Sequence, residues 1–433
     1  MGTRQHPLVF VVGAGLRHER EYLLAGVARH ARVWLLDAEQ PTWEARYLEG
    51  FTQADPYDGE ALVTAARDVA RRHAPAGLLC YGEQYVQPAA AVVEALGLPG
   101  FSRAAIRNCR DKRRTRDALS AAGVAQPESV AVSSLHEARA VAARIGYPVV
   151  LKPRGLGASI GVVLVSCEHE LEYGYRTAQT PWFPGVPTYD DGVLVETYLD
   201  GPEISIDGAA VDGRYVALFV ARKQLSEHPY FQETGHAVDS SDPLLRSSEL
   251  LEMLRSAHAA LGLGRGITHS EVRLTSAGPR IVEINARLGG DLIPQLGMLA
   301  TGIDPARVAV DVALGRAPDV RTTRRAVAEV RFFYPAEDSV VRGVRLPHPE
   351  SLPGLRHAEA IARVGAVLRL PPRGYLARYA QLVCVGDDRE AASAAADEAS
   401  TYVELLHDRA DAFEGDRPEL CSIDAAIPLA AAP

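Results

Sequence analysis

The chain has 433 residues, 47% of them hydrophobic and 23% charged, a balance that suits a globular protein and excludes a disordered or fibrous one. A formal net charge of −9 argues against a broad nucleic-acid footprint, and no apolar run approaches the roughly 20 residues of a membrane span. Five scattered cysteines without CxxC spacing suggest neither a zinc site nor a disulfide framework, and a reducing cytoplasm fits best.

In chain order, LVFVV at 8–12, VWLL at 33–36 and GLLCY at 77–81 read as strands. Arg17-His18-Glu19-Arg20 follow the apolar stretch Leu8 to Leu16 at once, without a small-residue cleavage site, so that stretch is not read as an export signal. Glu60–His73 has apolar residues three and four apart and predicts a helix, so this region should form a doubly wound parallel sheet. Asp111–Ala122 and Leu135–Ile145 read as helices ending at Gly123 and Gly146. From 149 to 220 the pattern is of strands (VVLK, GVVLV, GVLVE, EISIDGAAV, RYVALFV) with glycine turns, as in antiparallel sheet. Ser247–Leu261 is an amphipathic helix, strands follow at HSEVRL and RIVEI, and Pro305–Leu314 is helical. The tail from about 325 is strand-rich, with a last helix near 390–407.

Basic residues divide unevenly: Lys112, Lys152 and Lys223 are the only lysines, and Asn108 and Asn285 the only asparagines. A GC-rich coding bias accounts for the scarcity, and the survivors mark places where an ammonium and a planar guanidinium are not interchangeable. Val12-Gly13-Ala14-Gly15, with Asp37 ending the next strand, resembles the start of a dinucleotide fingerprint, but the third glycine is replaced by His18. Lys152 precedes a loop holding Gly155, Gly157, Ser159 and Gly161, which reads equally as a phosphate cradle or as a glycine-rich hairpin. Glu283, Asn285 and Arg287 share one face of a strand, and Glu271 can lie across from them. Two carboxylates and an amide oxygen suit Mg²⁺, and Arg287 could neutralise charge on a transferred phosphoryl group. A salt-bridged sheet face is the competing reading, but it explains poorly an asparagine inside a strand. Glu196-Thr197-Tyr198-Leu199, followed by Glu203, reads either as a hinge offering Glu196 and backbone groups to an adenine edge or as an acidic surface turn.

The ordered set of a helix lysine (RDKRRTRDALSAAGV), a strand lysine with a glycine-rich loop, ExxL and E…ExNxR resembles the ATP-grasp superfamily over about residues 8–320. THSEVRLT, PRIVEINARLGGD and PYFQETGH look most like the branch of bacilysin-synthetase-type L-amino acid ligases and carnosine synthase. The resemblance implies an α/β (α+β) fold in four parts. These are an N-terminal doubly wound parallel-sheet domain at 1–105, a first grasp lobe at 106–190, a second with the metal site at 191–322, and a C-terminal β-rich lobe at 323–433. It implies that ATP meets Lys112, Lys152, Gly157, Ser159, Glu196, Leu199 and Glu203. Two Mg²⁺ ions, for which Mn²⁺ can substitute, would meet Glu271, Glu283 and Asn285. Arg287, Lys152 and Lys223 take the catalytic places. Glu233, His236, Arg287, Gly290 and Asp291 face substrate, with Asp291 favouring an amino-bearing one.

The implied reaction joins a carboxylate to an amine through an acyl-phosphate, giving an amide or dipeptide, ADP and phosphate, as in antibiotic biosynthesis. Small-molecule substrates, a homodimer, and no nucleic-acid or membrane partner complete the expectation. A carboxylase or purine-pathway enzyme using bicarbonate or formate is the alternative, disfavoured by the PYFQETGH loop. An NAD-binding oxidoreductase is the remote one, disfavoured by His18.

Overall fold

Leu8–Val12 (β1) is wholly buried, as a strand covered on both faces of a parallel sheet must be. The computed structural model describes residues 6–181, 187 and 189–410. After helix α1 (Arg17–His30) come β2 (Arg32–Asp37), β3 (Gly50–Gln53), α2 (Gly59–Ala70), β4 (Pro75–Cys80) and α3 (Val86–Leu96). The four strands form a parallel sheet in the order β3-β2-β1-β4. Helix α2 starts where Asp58 accepts hydrogen bonds from the Glu60 and Ala61 N–H groups, satisfying donors that a helix start leaves open.

Helix α4 (Arg103–Arg110), too short of apolar residues to announce itself, is separated from α5 (Lys112–Ala121) by Asp111 alone. Asp111 caps α5 through the N–H groups of Arg113 and Arg114, so the helix expected from Asp111 begins one residue later, at Lys112. Next come β5 (Ser129–Val132), α6 (Leu135–Ile145), β6 (Val149–Pro153), β7 (Val163–Val165), α7 (Glu168–Gln179) and β8 (Val193–Thr197). They build an antiparallel sheet, β5-β8-β6-β7, with α6 and α7 packed on it. Helix α7 corrects the reading of 149–220 as strands alone. Leu171, Gly174, Tyr175 and Ala178 recur at three- and four-residue intervals and form its buried face.

The rest of the chain gives β9 (Glu203–Val211), β10 (Arg214–Leu225), β11 (Glu233–Asp239), α8 (Ser248–Leu261), β12 (Gly266–Thr275), β13 (Gly278–Asn285), α9 (Ile293–Thr301) and α10 (Pro305–Ala313). Then follow β14 (Val327–Phe333), β15 (Ser339–Arg345), β16 (Leu355–Ala360), β17 (Val367–Leu368), β18 (Ala380–Gly386), α11 (Arg389–Ser400) and β19 (Glu404–Arg409). One antiparallel sheet of eight strands, β13-β12-β9-β10-β11-β14-β18-β16, runs through residue 323 without a break. The last helix stops at Ser400 instead of near 407, because Glu404–Arg409 pairs with β15 in a small third antiparallel sheet.

Helix α10 lies against the N-terminal sheet, where Ala306, Ala309 and Val310 join the core of Val9, Val11 and Leu24. The approach is close: a Cβ on Gly26 of α1 would come within 2.5 Å of the Ala306 methyl. No helix among the described residues is long and apolar enough to cross a membrane.

Candidate active site

Lys112 and Lys152 come from different elements and line one cleft of about 780 Å³ with Glu271 and Glu283 of the large sheet. Lys112 opens α5, and its backbone N–H donates to the Arg154 carbonyl at 3.2 Å. The Arg154 guanidinium grips Asp111, the cap of that helix, through Nε at 2.7 Å and Nη2 at 2.6 Å. The end of β6 therefore fixes where α5 begins. The Lys112 ammonium lies 3.1 Å from Glu283 Oε1 and also donates to the Leu156 carbonyl of the glycine-rich loop.

Lys152 is buried with its Nζ 2.6 Å from Glu196 Oε2, while Arg116 Nε donates to Oε1 at 2.8 Å. Burial pushes the Glu196 carboxyl up, but the Arg116 and Lys152 cations outweigh it and hold the group down at about 2. The Glu196 side chain, expected at an adenine edge, lines the cleft as well. Its two oxygens already have cationic partners, and its effect is to orient Lys152. Leu199, just past the end of β8, lines the cleft, as do Gly157 and Ser159 on the opposite loop. That loop is tightly bent, with Ala158 at φ 55° and Ser159 at φ 56°. At Gly161 a Cβ would meet the Pro153 ring at 2.8 Å.

The carboxylates expected to meet a metal lie on adjacent strands. Glu271 and Glu283 are register partners on β12 and β13, and Asn285 pairs with His269 two residues along. A bulge between Glu271 and Val272 leaves Val282 as the extra residue, and its carbonyl accepts from Arg116 at 2.8 Å. Bulges of this kind re-aim side chains beside functional sites. Behind Glu271, His269 Nε2 stands 3.6 Å from Oε1, and His269 Nδ1 lies 2.6 Å from Asp207 Oδ1. Burial alone would lower the imidazole's affinity for a proton; Asp207 and Glu271 reverse that and lift it to about 9. Asp207 also accepts from the Gly289 N–H at 3.1 Å, tying the strand end to the loop after β13.

Glu203, expected at the ribose, lines the cleft, and its oxygens are engaged by Lys223 at 2.8 Å and Arg273 Nε at 2.8 Å. Lys223 is buried among Glu203, Glu233 and Glu271 at 2.8, 2.8 and 3.1 Å. Burial disfavours its charge, and the three carboxylates overcome that, so its proton affinity rises well above the usual lysine range. It is one layer behind the cleft surface and holds three of the carboxylates that line it.

Arg287 leaves the strand face and turns to the N-terminal domain, where its Nε lies 2.5 Å from Glu83 Oε2. Arg110 takes the other oxygen of Glu83 at 2.8 Å. Next along the chain, Gly289 accepts from Arg20 at 3.3 Å, Gly290 follows, and Asp291 is held by a group from the C-terminal part. Arg378 donates to both Asp291 oxygens at 2.7 and 2.8 Å. Asp291, expected to favour an amino-bearing substrate, thus already has a cationic partner. His236, fully buried, lies with Nε2 3.3 Å from Asp291 and 3.4 Å from Glu233, while Nδ1 has no partner among the described residues. Glu83, Asp207 and Arg378 lie outside every motif, and Arg116 and His269 lie inside RDKRRTRDALSAAGV and THSEVRLT without standing out as site residues. Only the sheet register and the meeting of domains bring them in.

As a test of metal fit, the cleft offers oxygen donors of the hard type on adjacent strands, with Glu271 and Glu283 opposite one another and Asn285 two residues on. The residues present therefore suit Mg²⁺. Among the described residues, Glu233, His236 and Asp291 also cluster closely enough for a metal. Arg378 in the same cluster takes both oxygens of Asp291, which argues against one there.

The profile of the ATP-grasp domain matches residues 145–295. The chain is 30% identical to alanine–anticapsin ligase of Bacillus subtilis (strain 168) over 271 residues, 58% of this chain and 57% of that protein. It is 27% identical to carnosine synthase 1 of Gallus gallus over 333 residues, covering 72% of this chain and 35% of the synthase. The chain thus spans less than two thirds of either relative. The fold matches the crystal structure of an L-amino acid ligase from Bacillus licheniformis, with TM-score 0.78 and 20% identity over 94% of this chain and all of that one.

Proposed function

We propose that the chain, whose residues 145–295 match the ATP-grasp domain, is an ATP-dependent carboxylate–amine ligase, joining two amino acids or close analogues. One observation carries the reading. Lys112 and Lys152, delivered by α5 and β6, line the same cleft as Glu271 and Glu283, so cations for phosphate and oxygens for a metal converge.

Triphosphate would lie along Lys112 and Lys152 beneath the loop at 155–161, with adenine toward Leu199 and Tyr198. Glu271, Glu283 and Asn285 would hold Mg²⁺, which neutralises phosphate charge when bound. A carboxylate oxygen of the first substrate attacks the γ-phosphorus, and the bond to the β-phosphate oxygen breaks to release ADP. The amine nitrogen of the second attacks the acyl carbon. The carbon–oxygen bond to phosphate breaks, leaving an amide, inorganic phosphate and a proton. Arg287, held by Glu83, steadies the acyl-phosphate, and Glu233 faces the donor with the fully buried His236 behind it. The protein's contribution is position and charge, applied in a site closed to the water that would hydrolyse the intermediate. The similarity to alanine–anticapsin ligase supports a product of specialised metabolism.

The test is ADP and phosphate release from MgATP across a panel of amino acids and amines, with products identified by mass. ADP formed only with a carboxylate present, and an amide of matching mass, is the expected result. AMP and pyrophosphate would contradict it, as would no nucleotide cleavage with any carboxylate.

A further inference from the structure

The C-terminal part of the chain reaches the substrate corner chiefly through Arg378. Arg378 is 8% exposed, and its donors are spread over Asp291 Oδ1 (2.7 Å), Asp291 Oδ2 (2.8 Å), the Tyr334 hydroxyl (2.8 Å) and the Glu233 carbonyl (3.3 Å). Its guanidinium carbon sits 3.7 Å above the Phe332 ring. Tyr334 in turn donates to the Glu233 carbonyl at 3.0 Å. Three residues earlier, Tyr375 is buried against Leu156 and Ile160 of the glycine-rich loop. One segment of the C-terminal part thus braces both the phosphate side and the substrate side.

What Arg378 grips is strained. Asp291 and Leu292 are consecutive residues with φ 54° and 60°, a region that side chains bearing a Cβ occupy only when their surroundings enforce it. The bidentate fork of Arg378 is such a constraint, and a planar guanidinium is the group that can supply it. The charges also close. Glu233 and Asp291 face Arg378, His236 and the shared Lys223, so the corner is left with no unpaired carboxylate.

We propose that Arg378 determines specificity in the donor pocket: by pairing Asp291 it removes a site for cationic side chains and selects acyl donors with uncharged ones. Arg378 also positions His236, which shares Asp291 with it. The inference rests on the ligase reading. Without Arg378, Asp291 would keep only the His236 imidazole as a partner, and an under-compensated buried anion attracts cations.

The experiment uses the full chain with MgATP. It measures kcat/KM for ADP release with L-leucine and L-methionine against L-lysine and L-arginine as donors, L-alanine being the amine. Binding of the same donors is measured by calorimetry without turnover. The wild type should favour the uncharged donors by about tenfold or more. Arg378→Met should move the ratio toward lysine and arginine by about tenfold or more, and adding Asp291→Asn should reverse the shift. Should Arg378→Met fail to fold, Asp291→Asn alone leaves Arg378 unpaired and should raise preference for L-glutamate. A folded Arg378→Met with an unchanged donor ratio and unchanged lysine binding overturns the proposal. So does a wild type that accepts lysine as readily as leucine, or an Asp291→Asn variant with no gain for glutamate. Loss of ADP release with every donor in the wild type would instead sink the ligase reading.

Discussion

Glu83, in the loop after β4, and Arg287, just past the end of β13, meet at 2.5 Å across the boundary between the N-terminal domain and the large sheet. Arg110 completes the pair into a triad at 2.8 Å. Burial would push the Glu83 carboxyl up, but the two guanidinium groups pull it below the usual carboxylate range. Removing the charge strands two mostly buried arginines. Glu83→Gln should therefore cost about 3 kcal/mol of stability, the scale for breaking a buried ion pair. It should lower kcat more than it raises the KM for ATP, because Arg287 loses its anchor. Thermal unfolding and ADP-release kinetics check the two parts separately.

Lys152→Arg retains the charge and should still reduce ADP formation by about a hundredfold or more. The ammonium is buried 2.6 Å from Glu196, with Arg116 on the same carboxylate, so a second planar fork has no room there. Near-normal turnover would reduce the scarcity of lysine in this chain to codon usage alone.

Stripping divalent metal with a chelator should abolish ADP release, and Mg²⁺ should restore it. Glu271→Gln should raise the Mg²⁺ concentration needed for half-maximal rate by about tenfold or more, since one charged oxygen ligand is lost. A Mg²⁺ titration of wild type and variant decides the point. Identical curves would remove Glu271 from the metal site.

Which parts are legible in the sequence follows from how local each signal is. Glu283, Asn285 and Arg287 stand two apart in one segment, so strand periodicity alone puts the first two on one face, and β13 does so. Arg287 obeys that spacing only until the strand ends at Asn285, after which Glu83 directs it. The Arg378–Asp291 contact spans 87 positions and needs β14 and β18 to join the large sheet first, so no window of sequence contains it. Glu196 is legible as a cleft residue, but its partner Arg116 sits on a helix facing another strand, and pairing of that sort is settled only by packing.

Acid stability should depend on His258, buried in α8. The Leu254 carbonyl can only accept, at 2.7 Å, so His258 Nδ1 carries the proton and Nε2 accepts from the Thr268 hydroxyl at 2.8 Å. Burial lowers its proton affinity from the ordinary histidine value of 6.5 to about 4. Between those values the unfolded chain binds a proton that the folded chain refuses, so stability rises with pH across that interval. The contribution is complete above pH 6.5 and is lost as pH falls toward 4, amounting to roughly 3 kcal/mol. His258→Gln should flatten that part of the pH dependence in denaturant melts. An unchanged slope would place the effect elsewhere.

The eight-stranded sheet constrains anyone who would exchange parts of this protein. Strand β11, which carries Glu233 and His236, is hydrogen-bonded on its outer side to β14, beyond residue 323. A chain truncated there would bare the backbone of β11 along its whole length, a template for pairing with other chains. Recombination with a relative at that point would also part Asp291 from Arg378. A breakpoint that respects both lies ahead of β9, so that the large sheet, with its carboxylates and its arginine, travels as one piece.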